Sequence, residues 1–371
     1  MIEFYSFTII ISLFYFFNKK ITFFLLIVGV FYFLNILPDT GLDYSSYEIT
    51  FENSRITSDF PYFETRSAIV SEPLYLWYNS FLGVVLNRNF QLFLGVNFLL
   101  CLTITFYFFK SSKLSLTDFW FFSLPVIIPT IFYFSPRSSI SYVLAVAGVM
   151  YLTKRKTLLA LILFLCVVSI HSQYILQSFL ILVLYFLVRK SNFKNDNKIR
   201  VLIITSSVIF SVILRFIEDL IPFLSQILSV LPSSNIATAK LHYLEESRSG
   251  YRLTSLLSIV IYPIGMYFLY NIYLKGKINL FKNKTDNRFL IILLFGLIFY
   301  GAAINIAYFD NPHLAGRLSR LSDYMGLGIL TPVILDYVAN KNLKKLILFI
   351  IILLAPILFS SIYYNVTWNI F

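Results

Sequence analysis

Charge is what this chain has least of. Only 13% of its 371 residues are charged, against about 25% in an average soluble domain. With 58% apolar residues and a mean hydropathy of +0.78, that excludes a soluble enzyme and a disordered chain. Cysteine is nearly absent. Cys101 and Cys166 both lie inside apolar runs, where they read as small apolar residues, so a disulfide scaffold and a thiolate metal site are excluded as well. Three histidines without HxxxH or HExxH spacing give no dedicated metal site. A Gly-rich phosphate loop, GxSxG, CxxC and a DxD pair are all missing, so nucleotide chemistry is not indicated. No small-residue cleavage site follows the apolar stretch 2–17, so no cleavable signal is expected.

What is present is a succession of continuous apolar runs. They do not alternate, which argues against a transmembrane β-barrel. Twelve read as full spans, at 2–17, 21–37, 90–109, 115–134, 138–153, 157–171, 173–188, 201–217, 253–274, 289–306, 321–338 and 346–364. A shorter piece, 73–86, is too short to cross upright and reads as a re-entrant or interfacial helix. The fold class expected is an all-α polytopic integral membrane protein. No internal repeat or low-complexity tract divides it, so 1–371 reads as a single membrane domain.

The net charge of +12 does not point to nucleic acid, because the excess sits in short clusters between apolar runs. One set of loops holds Lys19–Lys20, Lys110 and Lys113, Lys154 to Lys156, Arg189 to Arg200, Lys275 to Arg288, and Lys341, Lys344 and Lys345. Together these carry twenty Lys and Arg against two acids, Asp196 and Asp286; the opposite set carries nine. The positive-inside rule makes the first set cytoplasmic. The alternation closes only if 73–86 returns to the side it came from, and both termini then lie outside. Two outer segments are long. The first, 38–72, holds seven acids; the second, 218–252, opens with a helically patterned stretch expected to lie along the membrane surface.

The candidate chemistry gathers on the outer side. Arg137 follows Ser135-Pro136 and opens a span. Arg215 lies near the outer end of another. Arg248 and Arg252 bracket Ser-Gly-Tyr, and Arg317 and Arg320 stand three residues apart in Ala-Gly-Arg-Leu-Ser-Arg-Leu-Ser-Asp-Tyr. Positive-inside sorting gives no reason for arginines there. Any one of them could snorkel to headgroup phosphates and set helix depth. As a set they suit a diphosphate, because the planar guanidinium donates bidentate hydrogen bonds. His171, in Ser-Ile-His-Ser-Gln-Tyr at a span end, is a candidate proton acceptor or a satisfied helix-end residue. His242 and His313 are weaker candidates. Asp43 and Glu72 are rim carboxylates that could serve as a general base, or as a turn residue and a helix cap. Tyr44, like Tyr47, could stack on a sugar ring.

These residues fall in an order that resembles a known family. Gly41-Leu-Asp-Tyr-Ser-Ser-Tyr47 followed by Glu72-Pro73-Leu74 is similar to the opening of the EpsG-like polysaccharide polymerases, a group that includes O-antigen polymerases of the Wzy type. Pro136-Arg137 before a small-residue helix and Lys154-Arg155-Lys156, then Ile170-His171-Ser172, then Arg320-Leu-Ser-Asp-Tyr324, resemble the later elements. One departure is visible: the family opening carries an Arg shortly before the Gly, and here the stretch reads Leu37-Pro38-Asp39-Thr40.

The resemblance implies a membrane glycosyltransferase, GT-C-like in architecture, in the bacterial inner membrane with its active site facing the periplasm. It would move a growing glycan from undecaprenyl pyrophosphate to a lipid-linked repeat unit. A flippase and a chain-length regulator would be its partners. In that reading Arg137 and Arg320, supported by Arg317 and Arg252, hold pyrophosphate. His171, then Asp43, then Glu72 rank as the base, and Tyr44, Tyr47 and Tyr324 contact sugar. No metal or cofactor is needed, since the arginines neutralise the phosphates. An O-antigen ligase shares these features and differs in its acceptor. A flippase for the same lipid would carry its charges at mid-membrane depth, and an acyltransferase of surface sugars would need a buried His and Arg arrangement that is not evident.

Overall fold

The structure, a computed structural model, describes residues 7, 10, 11, 14, 15, 17–36, 44–54, 72–110, 115–121, 136–190, 196–229, 257–276 and 284–337. Among them there is no strand. The helices are α1 (Lys19–Ile36), α2 (Tyr44–Asn53), α3 (Pro73–Val85), α4 (Phe90–Phe109), α5 (Pro136–Thr153), α6 (Thr157–Ile170), α7 (Ile175–Lys190) and α8 (Asp196–Ser229). They continue as α9 (Tyr262–Leu274), α10 (Lys284–Ala307), α11 (Pro312–Leu318), α12 (Arg320–Met325) and α13 (Thr331–Tyr337). A 3₁₀ turn, Ser172–Tyr174, joins α6 to α7. Single π turns, Leu257–Ile261 and Gly326–Leu330, precede α9 and follow α12.

Four described stretches are long and apolar enough to cross a membrane: Phe90–Phe109, Ser172–Arg189, Asp196–Phe216 and Asn287–Ala307. At 1.5 Å per residue, α4 is about 30 Å long, the thickness of a hydrocarbon core. The expected span 346–364, and most of 2–17 and 115–134, lie outside the described residues.

Polar contacts fix which helix ends share a face. Arg288 Nε reaches Asp196 at 2.8 Å, Tyr273 donates to the same carboxylate at 3.1 Å, and Arg200 donates to Asn271 at 2.8 Å. Arg189 donates to Thr157 at 2.9 Å, and Arg155 lies over the Phe289 ring. These contacts gather the basic ends of α6 to α10 on one face, as the charge pattern anticipates. Glu72, Arg137, His171 and Arg320 lie at the opposite ends of their helices. The helix α3 begins beside Arg137, at the start of α5, and stops one tight turn before α4. At 13 residues it is too short to cross a hydrocarbon core upright. That turn closes with Asn87 and Arg88 at positive φ and with Asn89 capping α4 through Leu92 N–H at 3.0 Å.

In lipid, apolar burial does not itself drive helices together; close packing and polar contacts do. The central helix is α10, whose spanning window is 83% buried, whereas that of α8 is 22% buried and faces outward. One glycine on α10 matters for the site. A Cβ at Gly301 would overlap the Ser322 side chain on α12, the short helix that begins with Arg320. Gly301→Ala is therefore expected to cost about 1–3 kcal/mol through overpacking and to push α12 outward. A thermal-unfolding midpoint equal to wild type would contradict that packing.

One expectation needs correction. The stretch from 218 was expected as a separate surface helix, but α8 runs unbroken from Asp196 to Ser229, 34 residues. Glu218 and Asp219 are compatible with helix, and Pro222 removes only one backbone bond. A helix of this length is about 50 Å long, so 218–229 begins roughly where a 30 Å hydrocarbon core ends. The charged pair lies within the helix, not at its end.

Candidate active site

Glu72 is the hub. Pro73 occupies the first turn of α3, where its fixed φ suits a helix start, yet Glu72 makes no side-chain cap bond. Its carboxylate turns inward instead and is 2% exposed as a residue. One oxygen faces His171 Nδ1 at 2.9 Å and accepts the Ser172 N–H at 3.0 Å and the Ser172 hydroxyl at 3.2 Å. The other pairs with the Arg137 guanidinium. Burial alone would raise the pKa of this carboxyl, which lies ahead of the α3 helix. The hydrogen bond from His171, the Arg137 charge and the Ser172 N–H outweigh it and hold the carboxyl at about 2.

His171 sits where α6 stops. Its backbone leaves the helical region, at φ −149° and ψ 102°, while its N–H still closes the last turn to Val167 at 2.8 Å. The break lets the chain turn directly into Ser172–Tyr174, presenting side chain and next amide to one carboxylate. An ionised carboxylate can only accept, so Nδ1 carries the hydrogen. In the neutral ring Nε2 is then bare. That atom is buried and has no hydrogen-bond partner among the described residues.

Two guanidiniums flank this pair. Arg137, in the first turn of α5, lies over the Tyr47 ring at 5.5 Å, and its Nε is buried without a partner among the described residues. Arg320, at the start of α12, donates to Ser138 Oγ at 3.3 Å, so it reaches the residue next to Arg137. The start of α12 is anchored twice. Leu321 N–H donates to Gln177 Oε1 at 2.8 Å, and Asp323 accepts from Ser258, in the first π turn, and from Ser319 at 3.2 Å. π turns recur at functional sites because they re-aim side chains, and this one helps hold the helix of Arg320. The site is recessed. Asn97 on α4 donates to Pro136 O at 3.2 Å and Ser139 Oγ at 3.1 Å. It lies seven residues along α4 from Phe90, about 10 Å by helical rise.

The structure thus brings together His171, Glu72, Arg137, Arg320 and Tyr47. It does not do so for every candidate. Tyr44 is 3% exposed, with its ring edge-on to Phe90 at 5.1 Å. Tyr324 is 3% exposed and edge-on to Tyr142 at 4.9 Å. Burial leaves neither ring open to stack on a sugar, which corrects that expectation for both, although Tyr324 stands beside Arg320. Both oxygens of Glu72 are engaged, by His171 and Ser172 on one side and by Arg137 on the other, an arrangement suited to orienting His171 more than to taking a proton. Arg215 forms an exposed ion pair with Asp310 at 2.8 Å, of a kind worth little. Arg317 is half-buried on α11, which packs against the Ser172–Tyr174 turn. Asp43, Arg252, Arg248 and His242 lie outside the described residues, as does the side chain of His313. Sequence reading missed Ser138, Gln173, Gln177 and Gly301; two glutamines at i, i+4 inside an apolar span were the available signal.

The Glu72 contacts imply an acid limb. The unfolded carboxyl takes its proton near pH 4.5 and the folded one near pH 2. Between them the unfolded state binds more protons, so stability falls as pH drops through this window, while above about pH 5 the Glu72 contribution is constant. Thermal unfolding in detergent is expected to show a shallower slope between pH 5 and pH 2 in Glu72→Gln. Equal slopes would contradict the pairing.

Fold and site define a multi-pass α-helical membrane protein in which two arginines gather around a buried carboxylate–imidazole pair. The chain belongs to the EpsG family, whose family model matches residues 20–369, essentially the whole chain. This is the Wzy-like polymerase family, and membership carries a polysaccharide-polymerase-like, glycosyltransferase-like function. No curated protein and no solved structure matches the chain.

Proposed function

We propose that this protein is a surface-polysaccharide polymerase that takes its donor glycan from undecaprenyl pyrophosphate at the periplasmic face of the inner membrane. The observation that carries the reading is the convergence of Arg137 and Arg320 on the buried Glu72–His171 pair, whose Nε2 is bare. The acceptor hydroxyl of a lipid-linked repeat unit gives its proton to Nε2 while its oxygen bonds to the anomeric carbon of the donor. The bond from that carbon to the phosphate oxygen breaks, and the diphosphate leaves with the electron pair. The two guanidiniums stabilise the charge as it develops, an effect that grows in a recessed, partly dehydrated site. Tyr47 supports Arg137 from below. Both substrates are lipids with their diphosphates at the same depth, so holding them in one pocket supplies proximity. A flippase would have to deliver the units to this face.

The test supplies purified protein with lipid-linked repeat units extracted from cells lacking it, and with no other acceptor. A ladder of lengthened glycans on the lipid is expected. No ladder, with transfer appearing only when lipid A-core is added, would make the protein a ligase and overturn the reading.

A further inference from the structure

The turn leaving His171 carries two amides that the mechanism above does not use. Gln173 and Gln177 stand one helical turn apart, so they share a face of the segment between Ser172 and Lys190. The Oε1 of Gln173 and the Nε2 of Gln177 are buried and have no hydrogen-bond partner among the described residues. Gln177 as a whole is 1% exposed. The identity of its two amide atoms is fixed. A backbone N–H can only donate, so the atom 2.8 Å from Leu321 N is the oxygen, and the free atom is the NH₂.

A buried amide left unpaired is costly, about 1–3 kcal/mol for each unsatisfied group. The cost is larger in a membrane protein, where bulk water does not reach the interior. Here the cost falls beside the reacting groups. The anchor of Gln177 is the residue after Arg320, and Gln173 is two residues after His171. One buried acceptor, on Gln173, and one buried donor, on the anchored Gln177, complement a group that itself donates and accepts. A phosphate, which only accepts at neutral pH, does not match the Gln173 oxygen. A sugar hydroxyl or acetamido substituent matches both.

We propose that Gln173 and Gln177 form a sugar-recognition subsite that binds a hydroxyl or acetamido substituent of the ring placed at His171. Gln173 Oε1 accepts from that substituent and Gln177 Nε2 donates to it. This rests on the polymerase reading and assigns it a specificity element distinct from the diphosphate-binding arginines. A site built to hydrogen-bond a substituent rejects the analogue lacking it, because its own buried groups then go unpaired.

The experiment measures kcat and KM of purified protein on extracted lipid-linked repeat units, for wild type, Gln173→Leu, Gln177→Leu and the double variant. Thermal unfolding controls for folding. Each single variant is expected to raise KM about tenfold with kcat changed less than about twofold, and the double variant to cost little more than either single, because both amides grip one group. Gln177→Glu keeps the acceptor for Leu321 N–H and loses the donors. If Gln177→Leu fails to fold, the glutamate variant carries the test, with raised KM at a wild-type unfolding midpoint. Unchanged KM in Gln173→Leu and in a folded Gln177 variant would overturn the subsite while the polymerase reading stands. Absence of any wild-type polymer would overturn the polymerase reading itself. Repeating the assay with de-N-acetylated units separates the two substituents: loss of discrimination between wild type and variants assigns an acetamido group, and retention assigns a hydroxyl.

Discussion

Arg320→Ala is expected to lower polymer formation by about 10²–10³-fold, the range for removing one preorganised donor from a site of developing negative charge. The variant is informative because its structural cost is small. The described hydrogen bond of the guanidinium is a 3.3 Å contact to Ser138 Oγ, while α12 is held in place by Leu321 and Asp323 instead. Arg320→Lys keeps a charge but loses the fork, so it should recover only part of the rate. The comparison at Arg137 reads differently. Its partner is the buried Glu72 carboxylate, and deleting one member of a buried pair leaves the other uncompensated, at about 3–5 kcal/mol. Arg137→Ala should therefore lose both activity and protein, Arg320→Ala mainly activity. Chain length on the lipid, measured beside membrane protein level, separates the two. Normal chain length in a well-expressed Arg320→Ala would remove Arg320 from the chemistry.

The second large effect is at His171. Replacing it with Ala removes the proton acceptor and is expected to cut kcat by about 10²–10⁴-fold, the contribution typical of a positioned base. Glu72→Gln should mimic part of this loss, since an amide can still contact Nδ1 but no longer fixes the imidazole tautomer. Because Glu72 acts through His171, the double variant should be no slower than His171→Ala alone. Multiplying losses in single-turnover measurements would show that Glu72 has an independent catalytic task. Full activity in His171→Ala would move the base elsewhere, and Asp43 would be the remaining carboxylate among the sequence candidates.

Much of this arrangement was legible in the chain. Arginine at a span end on the face that positive-inside sorting leaves poor in cations is a signal that survives without coordinates, and Arg137 and Arg320 were found by it. Pro73 after Glu72 marks a helix start, with Glu72 readable as a rim base or as a helix cap. What the sequence does not encode locally is pairing. That Glu72 meets His171 and Arg137 together depends on α3 starting beside the α5–α6 hairpin, and nothing in residues 72–74 announces a partner about a hundred positions away. The same holds for Tyr44 and Tyr324. A tyrosine near a rim stacks on sugar or on a neighbouring ring, and Phe90 and Tyr142 decide that only after the helices pack. In α8 the apolar run stops at 217 while the helix continues to Ser229, because a loss of hydropathy does not by itself end a helix.

The most direct measurement is binding of undecaprenyl pyrophosphate to purified protein, with the monophosphate as comparison, for wild type and for Arg137→Lys/Arg320→Ala, each shown to be folded by thermal unfolding. Wild type is expected to prefer the diphosphate, and the double variant to lose at least about 100-fold in affinity for it, roughly 2.8 kcal/mol at 1.4 kcal/mol per decade. Equal affinity in both proteins would contradict the assignment of Arg137 and Arg320 as the diphosphate clamp.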